Sequence, residues 1–293
     1  MLILVDNSMY FKFIIYALHE CLKELGIKHG IIEDYYCDFN YNDNDNVDNI
    51  YFICTTHEEL RPVLPKRYIS YNFEQLISIY DWDNTDIFKK LRNAELVFDY
   101  SLENIKFLKN HGINAHFLPL GFTNSMVYKK INDLERNIDF TFVGKFNQSR
   151  YDKLQPLVNI YNDNKEKLAI IHDNNCWNEN LVNLYTRTKI GINMHYFNSG
   201  KTILEITRII LYLANKVIVI SERSDDEWYD NKYKDLIYFF ENNNYAIDCV
   251  NVLQKYSLEK AEKNYQELIT KHRYVDYVKD VIHLIQPFSE LRY

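Results

Sequence analysis

Short runs rich in Ile, Val, Leu, Phe and Tyr alternate along this 293-residue chain with longer stretches whose apolar positions recur every three or four residues. The short runs predict strands at 2–5, 29–33, 50–55, 67–71, 95–99 and 115–119, then at 139–144, 167–172, 189–195, 217–221 and 236–240. Amphipathic patterns at 9–25, 101–112, 149–162, 202–214 and 257–270 predict helices between many of them. Strands that read as nearly continuous apolar runs and alternate with helices belong to parallel sheets covered on both faces. That many strands exceed one compact doubly wound sheet of this length, so the pattern divides into two sheets of five or six.

The polar stretch 124–137 falls between the last strand of one set and the first of the next. The expected fold class is α/β, with two doubly wound, Rossmann-like domains at 1–130 and 131–270. A helical segment at 271–293 is expected to pack back on the first domain. Two such domains facing each other would bring both sets of strand carboxyl ends to one central cleft, where ligands bind in folds of this kind.

Composition narrows the setting. Hydrophobic residues make up 47% and charged residues 26% of the chain, the balance of a globular protein. A net charge of −7 argues against nucleic acid as a partner, while leaving room for a basic pocket that holds one or two phosphates. The cysteines (Cys21, Cys37, Cys54, Cys176 and Cys249) are odd in number and form no CxxC, which points to reduced thiols. The start lacks the basic and apolar regions of a signal peptide, and no run is long enough to span a membrane. A soluble, cytoplasmic protein is expected. The acidic stretches 40–49 and 81–86 lack a calcium-loop pattern or a preceding strand and read as solvated loops. No metal site is expected.

Six stretches carry a family resemblance: "YISYNFEQL" (68–76), "YSLENIKFLKNHGINAHFLPLGF" (100–122), "FVGKFNQSRYDKL" (142–154), "KIGINMHYF" (189–197), "LEITRI" (204–209) and "VISE" (219–222). In this order they resemble nucleotide-sugar glycosyltransferases of the two-Rossmann-domain (GT-B) type, in the family 4-like, CgeB-like branch. The resemblance implies transfer of a hexose from a UDP- or GDP-sugar to a hydroxyl of a glycan or other acceptor. It further implies retention at the anomeric carbon, no metal, and no cofactor besides the nucleotide-sugar co-substrate. Two positions depart from the pattern. Ser149-Arg150 stands where the branch often has paired arginines, and Phe197 stands where the first of two glutamates eight residues apart is common.

Each candidate residue has a plain reading beside the functional one. "TILE" (202–205) is a T-x-x-E capping box with Thr202 as N-cap, which the residue pattern favours. The resemblance instead makes Glu205 the acceptor for a ribose diol, a task suited to the two oxygens of a carboxylate. Arg208, one turn on, is either a local partner for Glu205 or a phosphate contact. Gly144 ends a strand, and Lys145 and Arg150 flank a helix start where a diphosphate would find cations and main-chain amides. Ordinary surface cations are the alternative. His195 closes a strand and is read as a binding residue for phosphate or sugar, not a general base. Asn72, Glu74 and Gln75 either line the acceptor side or form a polar helix start. The catalytic residue is unassigned. A nucleotide-sugar epimerase and a degenerate, sugar-nucleotide-binding or partner-binding module (in view of Phe197) are the competing functions.

Overall fold

The computed structural model describes residues 1–6, 11–33, 49–55, 64–78, 85–128, 136–171, 179–197, 201–242 and 244–289. The stretch 40–48, residues 81–84 of the second acidic stretch, 129–135 of the polar stretch, and Cys37 and Cys176 lie outside them. The chain divides into two compact units, 1–125 with 273–293, and 126–272.

The first unit begins β1 (Leu2–Asp6), α1 (Lys12–Glu24), β2 (His29–Glu33), β3 (Ile50–Thr55) and β4 (Tyr68–Asn72). It continues α2 (Asp86–Asn93), β5 (Leu96–Asp99), α3 (Leu102–Asn110) and β6 (Ala115–Phe117). Its six strands are parallel in the order β2-β1-β3-β4-β5-β6. All five residues of β1 and of β4 are buried, as strands covered on both faces require.

The second unit runs β7 (Ile138–Val143), α4 (Gln148–Ile160), β8 (Leu168–Ile171), α5 (Glu179–Arg187), β9 (Thr188–Asn193) and α6 (Ile206–Ala214). Then follow β10 (Ile218–Ser221), α7 (Glu227–Lys232), β11 (Ile237–Phe239), α8 (Tyr245–Gln254) and α9 (Leu258–Lys271). Its five strands are parallel in the order β11-β10-β9-β7-β8. The order reverses between β7 and β9, which makes their carboxyl ends the switch point where such sheets take ligands. The last helix, α10 (Tyr274–Ser289), belongs to the first unit. It packs against α1, with Tyr274, Val278 and Ile285 buried and Arg273 bonded to Glu24. The fold is α/β, built from two doubly wound parallel sheets.

One side of the second sheet is sealed by a core of Phe140, Phe142, Ile190, Ile192, Leu154 and Leu157. On the other side, α6 lies so close to β9 that only glycine fits at position 191. A Cβ there would stand 2.6 Å from the ring of Tyr212, which is fully buried and pinned by its hydroxyl to the Thr141 carbonyl at 3.1 Å. Gly191→Ala is therefore expected to destabilise the unit by about 1–3 kcal/mol. Urea unfolding checks this, and an unchanged midpoint would show that α6 can give way.

Candidate functional site

The site is built where β7, β9 and β10 end. Gly144 continues β7, donating its amide to the Ile171 carbonyl at 3.1 Å. Asn147 then caps α4, its Oδ1 accepting the Arg150 amide at 2.9 Å, while its Nδ2 holds the Tyr196 carbonyl. That pair of bonds ties the segment after β7 to the segment after β9.

Arg150 fixes the same junction from within. Its guanidinium is 2% exposed, and it donates through Nε to the His195 carbonyl at 3.2 Å and through Nη1 to the Lys145 carbonyl at 2.6 Å. Nη2 reaches the Met194 carbonyl and, at 3.4 Å, Glu205 Oε1. Burial and the neighbouring Arg208 lower its pKa to about 10, so it stays charged at neutral pH. Its donors are spent on main-chain carbonyls and on Glu205, which makes it a scaffold for the site. Lys145, by contrast, is exposed, with its ammonium 5.8 Å from the Tyr196 ring.

The capping box expected at 202–205 does not form. Helix α6 starts at Ile206, and Glu205 occupies the N-cap position without a side-chain cap bond. Thr202 turns instead to Asp225, which accepts both its amide (2.7 Å) and its hydroxyl (3.0 Å). Ile203 and Leu204 are fully buried, and their burial carries the chain into the core before a helix can begin. This frees the Glu205 side chain to point elsewhere.

It points into a cluster of charges. Oε2 accepts from Asn193 Nδ2 at 3.0 Å and lies 3.1 Å from His195 Nδ1, while Oε1 faces Arg150. Arg208 reaches Glu205 through Asn193, donating from Nη1 to Asn193 Oδ1 at 2.6 Å. This crowding explains Gly144, where a Cβ would sit 2.8 Å from Arg208 Nη2 and 3.4 Å from Arg150 Nη1. Burial opposes the charge on Glu205, but His195, Arg208 and Arg150 outweigh it and depress the carboxyl to about 2.

His195 is 4% exposed, and its ring lies between two oxygens: Glu205 Oε2 on Nδ1, and the Arg223 carbonyl 2.8 Å from Nε2. Burial works against the imidazolium; Glu205 first, then the Arg223 carbonyl and Glu222, overcome it and raise the pKa to about 9. An imidazolium has no lone pair with which to take a proton.

Four residues that the sequence reading passed over complete the site. Asn193 is fully buried at the end of an apolar strand and also donates to Ser221 Oγ at 2.9 Å. Glu222, just past β10, accepts the His195 amide at 2.7 Å, Lys153 Nζ at 2.6 Å and the Tyr245 hydroxyl at 2.7 Å. A buried polar residue closing an apolar run was the available signal for both Asn193 and Glu222. Lys153 and Tyr245 carried none. Beside this network opens a cavity of about 550 Å³ lined in part by His195, Phe197, Thr202 and Glu222.

Gly144, Lys145, Arg150, His195, Glu205 and Arg208 thus converge in the second unit. Asn72, Glu74 and Gln75 belong to the first, where Asn72 ends β4 and Glu74 and Gln75 lead into a 3₁₀ turn at Leu76–Ser78. Asn72 is fully buried and donates to Asp99 Oδ2 at 2.7 Å and to the Glu74 carbonyl at 3.1 Å. It shapes the turn. The Gln75 side-chain oxygen is buried and makes no hydrogen bond among the described residues. These residues also contain no group of three or more His, Cys, Asp or Glu side chains that could hold a metal, and no helix long and apolar enough to cross a membrane.

No protein-family model and no curated protein matches the sequence. Solved structures do resemble the fold. A glycosyltransferase from Rickettsia africae is 12% identical, with a TM-score of 0.52 over 99% of this chain and 98% of that one. HepE of Anabaena, solved with UDP and glucose, is 9% identical, with a TM-score of 0.55 over 98% and 99%. A candidate UDP-N-acetylglucosamine 2-epimerase of Listeria monocytogenes is 10% identical, with a TM-score of 0.52 over 100% and 97%. The likeness is one of fold, that of the two-Rossmann-domain (GT-B) proteins.

The charge cluster sets a pH dependence. With its pKa raised from 6.5, His195 contributes stability that is complete below about pH 6.5 and lost as pH rises through about 9. With its pKa lowered from 4.5, Glu205 contributes stability that is complete above about pH 4.5 and lost as pH falls through about 2. The pair is therefore fully effective between about pH 4.5 and 6.5. Removing the carboxylate charge by Glu205→Gln should lower the His195 titration by about 1–3 pH units. The same change should destabilise the fold by about 3–5 kcal/mol, because two buried cations lose their counter-charge. Imidazole NMR and urea unfolding of the two proteins check both outcomes; an unmoved His195 titration would contradict the pairing.

Proposed function

We propose that this chain is a glycosyltransferase of the family 4-like, CgeB-like branch. It moves a hexose from a nucleotide-diphosphate sugar to a hydroxyl acceptor, with retention at the anomeric carbon and without a metal. The observation that carries this reading is the convergence of Lys145, Arg150, His195, Glu205 and Arg208 at the carboxyl ends of β7 and β9. As the bond from the anomeric carbon to the diphosphate breaks and the acceptor hydroxyl takes its place, negative charge gathers on the leaving diphosphate. Preorganised cations stabilise that charge. Lys145 is the exposed cation for this task, and Arg150 holds the loop that carries it. Glu205 accepts from the ribose hydroxyls, and on the acceptor side Glu74 meets the acceptor while the buried Asn72 and Gln75 shape the turn that carries it. UDP in the HepE structure supports a uridine nucleotide as the first donor to try.

Likeness to the Listeria protein favours epimerisation of a nucleotide sugar as a second reading. One assay separates them. UDP- and GDP-sugars are incubated with alcohol and glycan acceptors, and the released nucleotide, the new glycoside and its anomeric configuration are followed in the presence of EDTA. We expect nucleoside diphosphate release with a retained linkage, insensitive to chelation. Conversion of the donor sugar to its epimer without a glycosylated product would establish the second reading. Activity lost in EDTA and restored by manganese would overturn the metal-free assignment.

A further inference from the structure

Helices α4 and α8 lie side by side on the second sheet and share its core. Helix α8 turns Ala246, Cys249 and Val252 inward and leaves Ile247 and Asn251, one turn apart, facing out. Helix α4 buries Leu154 and Leu157 and sets Pro156 and Ile160, also one turn apart, toward α8. Between the two helices opens a groove of about 490 Å³, lined by these outward residues together with Asn159 and the α8 cap Asn244. Ile160 is 56% exposed and Ile247 49%. Exposed isoleucines scattered singly are ordinary, but two that share one groove mark a surface for contact.

Among the described residues, no charged side chain lines this groove. That restricts the occupant. A charged peptide or an anionic lipid surface is drawn by opposite charge, and the groove offers none. Two copies of this chain, each with a net charge of −7, repel at long range, so their least costly contact is an uncharged one. A twofold contact also sets the residues at its axis against themselves. A carboxylate or an ammonium there would meet its own sign. Isoleucine meets isoleucine without penalty, and an amide both donates and accepts, so asparagine pairs with asparagine. Every residue of the lining is compatible with its own copy.

We propose that the chain forms a twofold dimer through this groove, with Ile160 and Ile247 packed against the same groove of a second copy and the asparagine amides paired around them. Helix α8 has ten residues, so the two helices offer a face about 15 Å long and roughly 20 Å wide. Such a face falls short of the roughly 800 Å² a side of a standard interface. The dimer is therefore weak, with a dissociation constant of about 10–100 µM. The same helices reach the functional site from their inner faces, where Lys153 of α4 and Tyr245 of α8 both donate to Glu222 Oε1, at 2.6 and 2.7 Å. Association braces the two helices and with them the donors that orient Glu222. This inference does not depend on the glycosyl-transfer reading.

Sedimentation velocity of the full chain, from well below that constant to well above it, tests the dimer. The wild type should pass from monomer to dimer and grow no further, since a twofold contact closes on itself. Ile247→Glu and Ile160→Glu each bring a carboxylate into an apolar contact with no facing cation, and each should weaken association by at least about tenfold. Both positions are exposed, so the core is untouched and one variant serves if the other fails to fold. Tyr151→Glu is the control: this residue lies on α4, 55% exposed and outside the groove, and its replacement should leave the dimer as it was. A wild type that stays monomeric throughout the range would overturn the proposal. So would growth beyond the dimer, association undiminished in both groove variants, or equal weakening by Tyr151→Glu.

Discussion

Glu205 is a carboxylate held among buried cations, with Arg150 on one oxygen, His195 on the other and Arg208 one amide away through Asn193. Those contacts join the segment after β7, the end of β9 and the start of α6, which apolar packing alone would leave unregistered. A buried guanidinium without a counter-charge is costly, so the carboxylate must be present for Arg150 to be folded inward. With Arg150 inward, the carbonyls of Lys145, Met194 and His195 are fixed and the exposed ammonium of Lys145 is carried at the mouth of the strands. The helix charge at Glu205 and Arg208 is in this sense structural first. It also gathers positive charge around one acidic group, at the place where a doubly wound sheet binds its ligands.

The same contacts explain which glycines the chain can spare. Gly144 and Gly191 sit on neighbouring strands, and each is required by a side chain from α6, Arg208 in one case and Tyr212 in the other. The helix packs tightly on the sheet at Gly191, and the Arg208 guanidinium reaches across to Gly144. Packing geometry and site electrostatics are here one arrangement.

Much of the fold was legible because the parallel strands are buried on both faces. Runs such as "LILV" and "VIVIS" leave no other placement, and the structure sets a strand at every run read as one, within a residue or two. The start of α6 was not legible. T-x-x-E describes a capping box only if the residues between can be helical, and the burial of Ile203 and Leu204 together with the Asp225 contact to Thr202 decided otherwise. Asp225 lies far along the chain, so no local pattern could announce it. The candidate site was legible where motifs were local, as in Gly144 to Arg150 and Glu205 to Arg208. The role of Arg150 was not, because three of its partners are main-chain carbonyls, two of them beyond the next two strands, and carbonyls leave no mark on a sequence. Lys153 and Tyr245 reach Glu222 from separate helices for the same reason.

The most direct test of this arrangement reads His195 in the unmodified protein. Its imidazole nitrogen resonances report the Glu205 carboxylate from 3.1 Å away, and they can be recorded at neutral pH before and after saturation with a nucleoside diphosphate. If Glu205 both neutralises the buried cations and accepts the ribose hydroxyls, His195 will be an imidazolium in both spectra, and its Nδ1 signal will move when the nucleotide binds. A neutral imidazole, or a bound nucleotide that leaves Nδ1 unmoved, would contradict it.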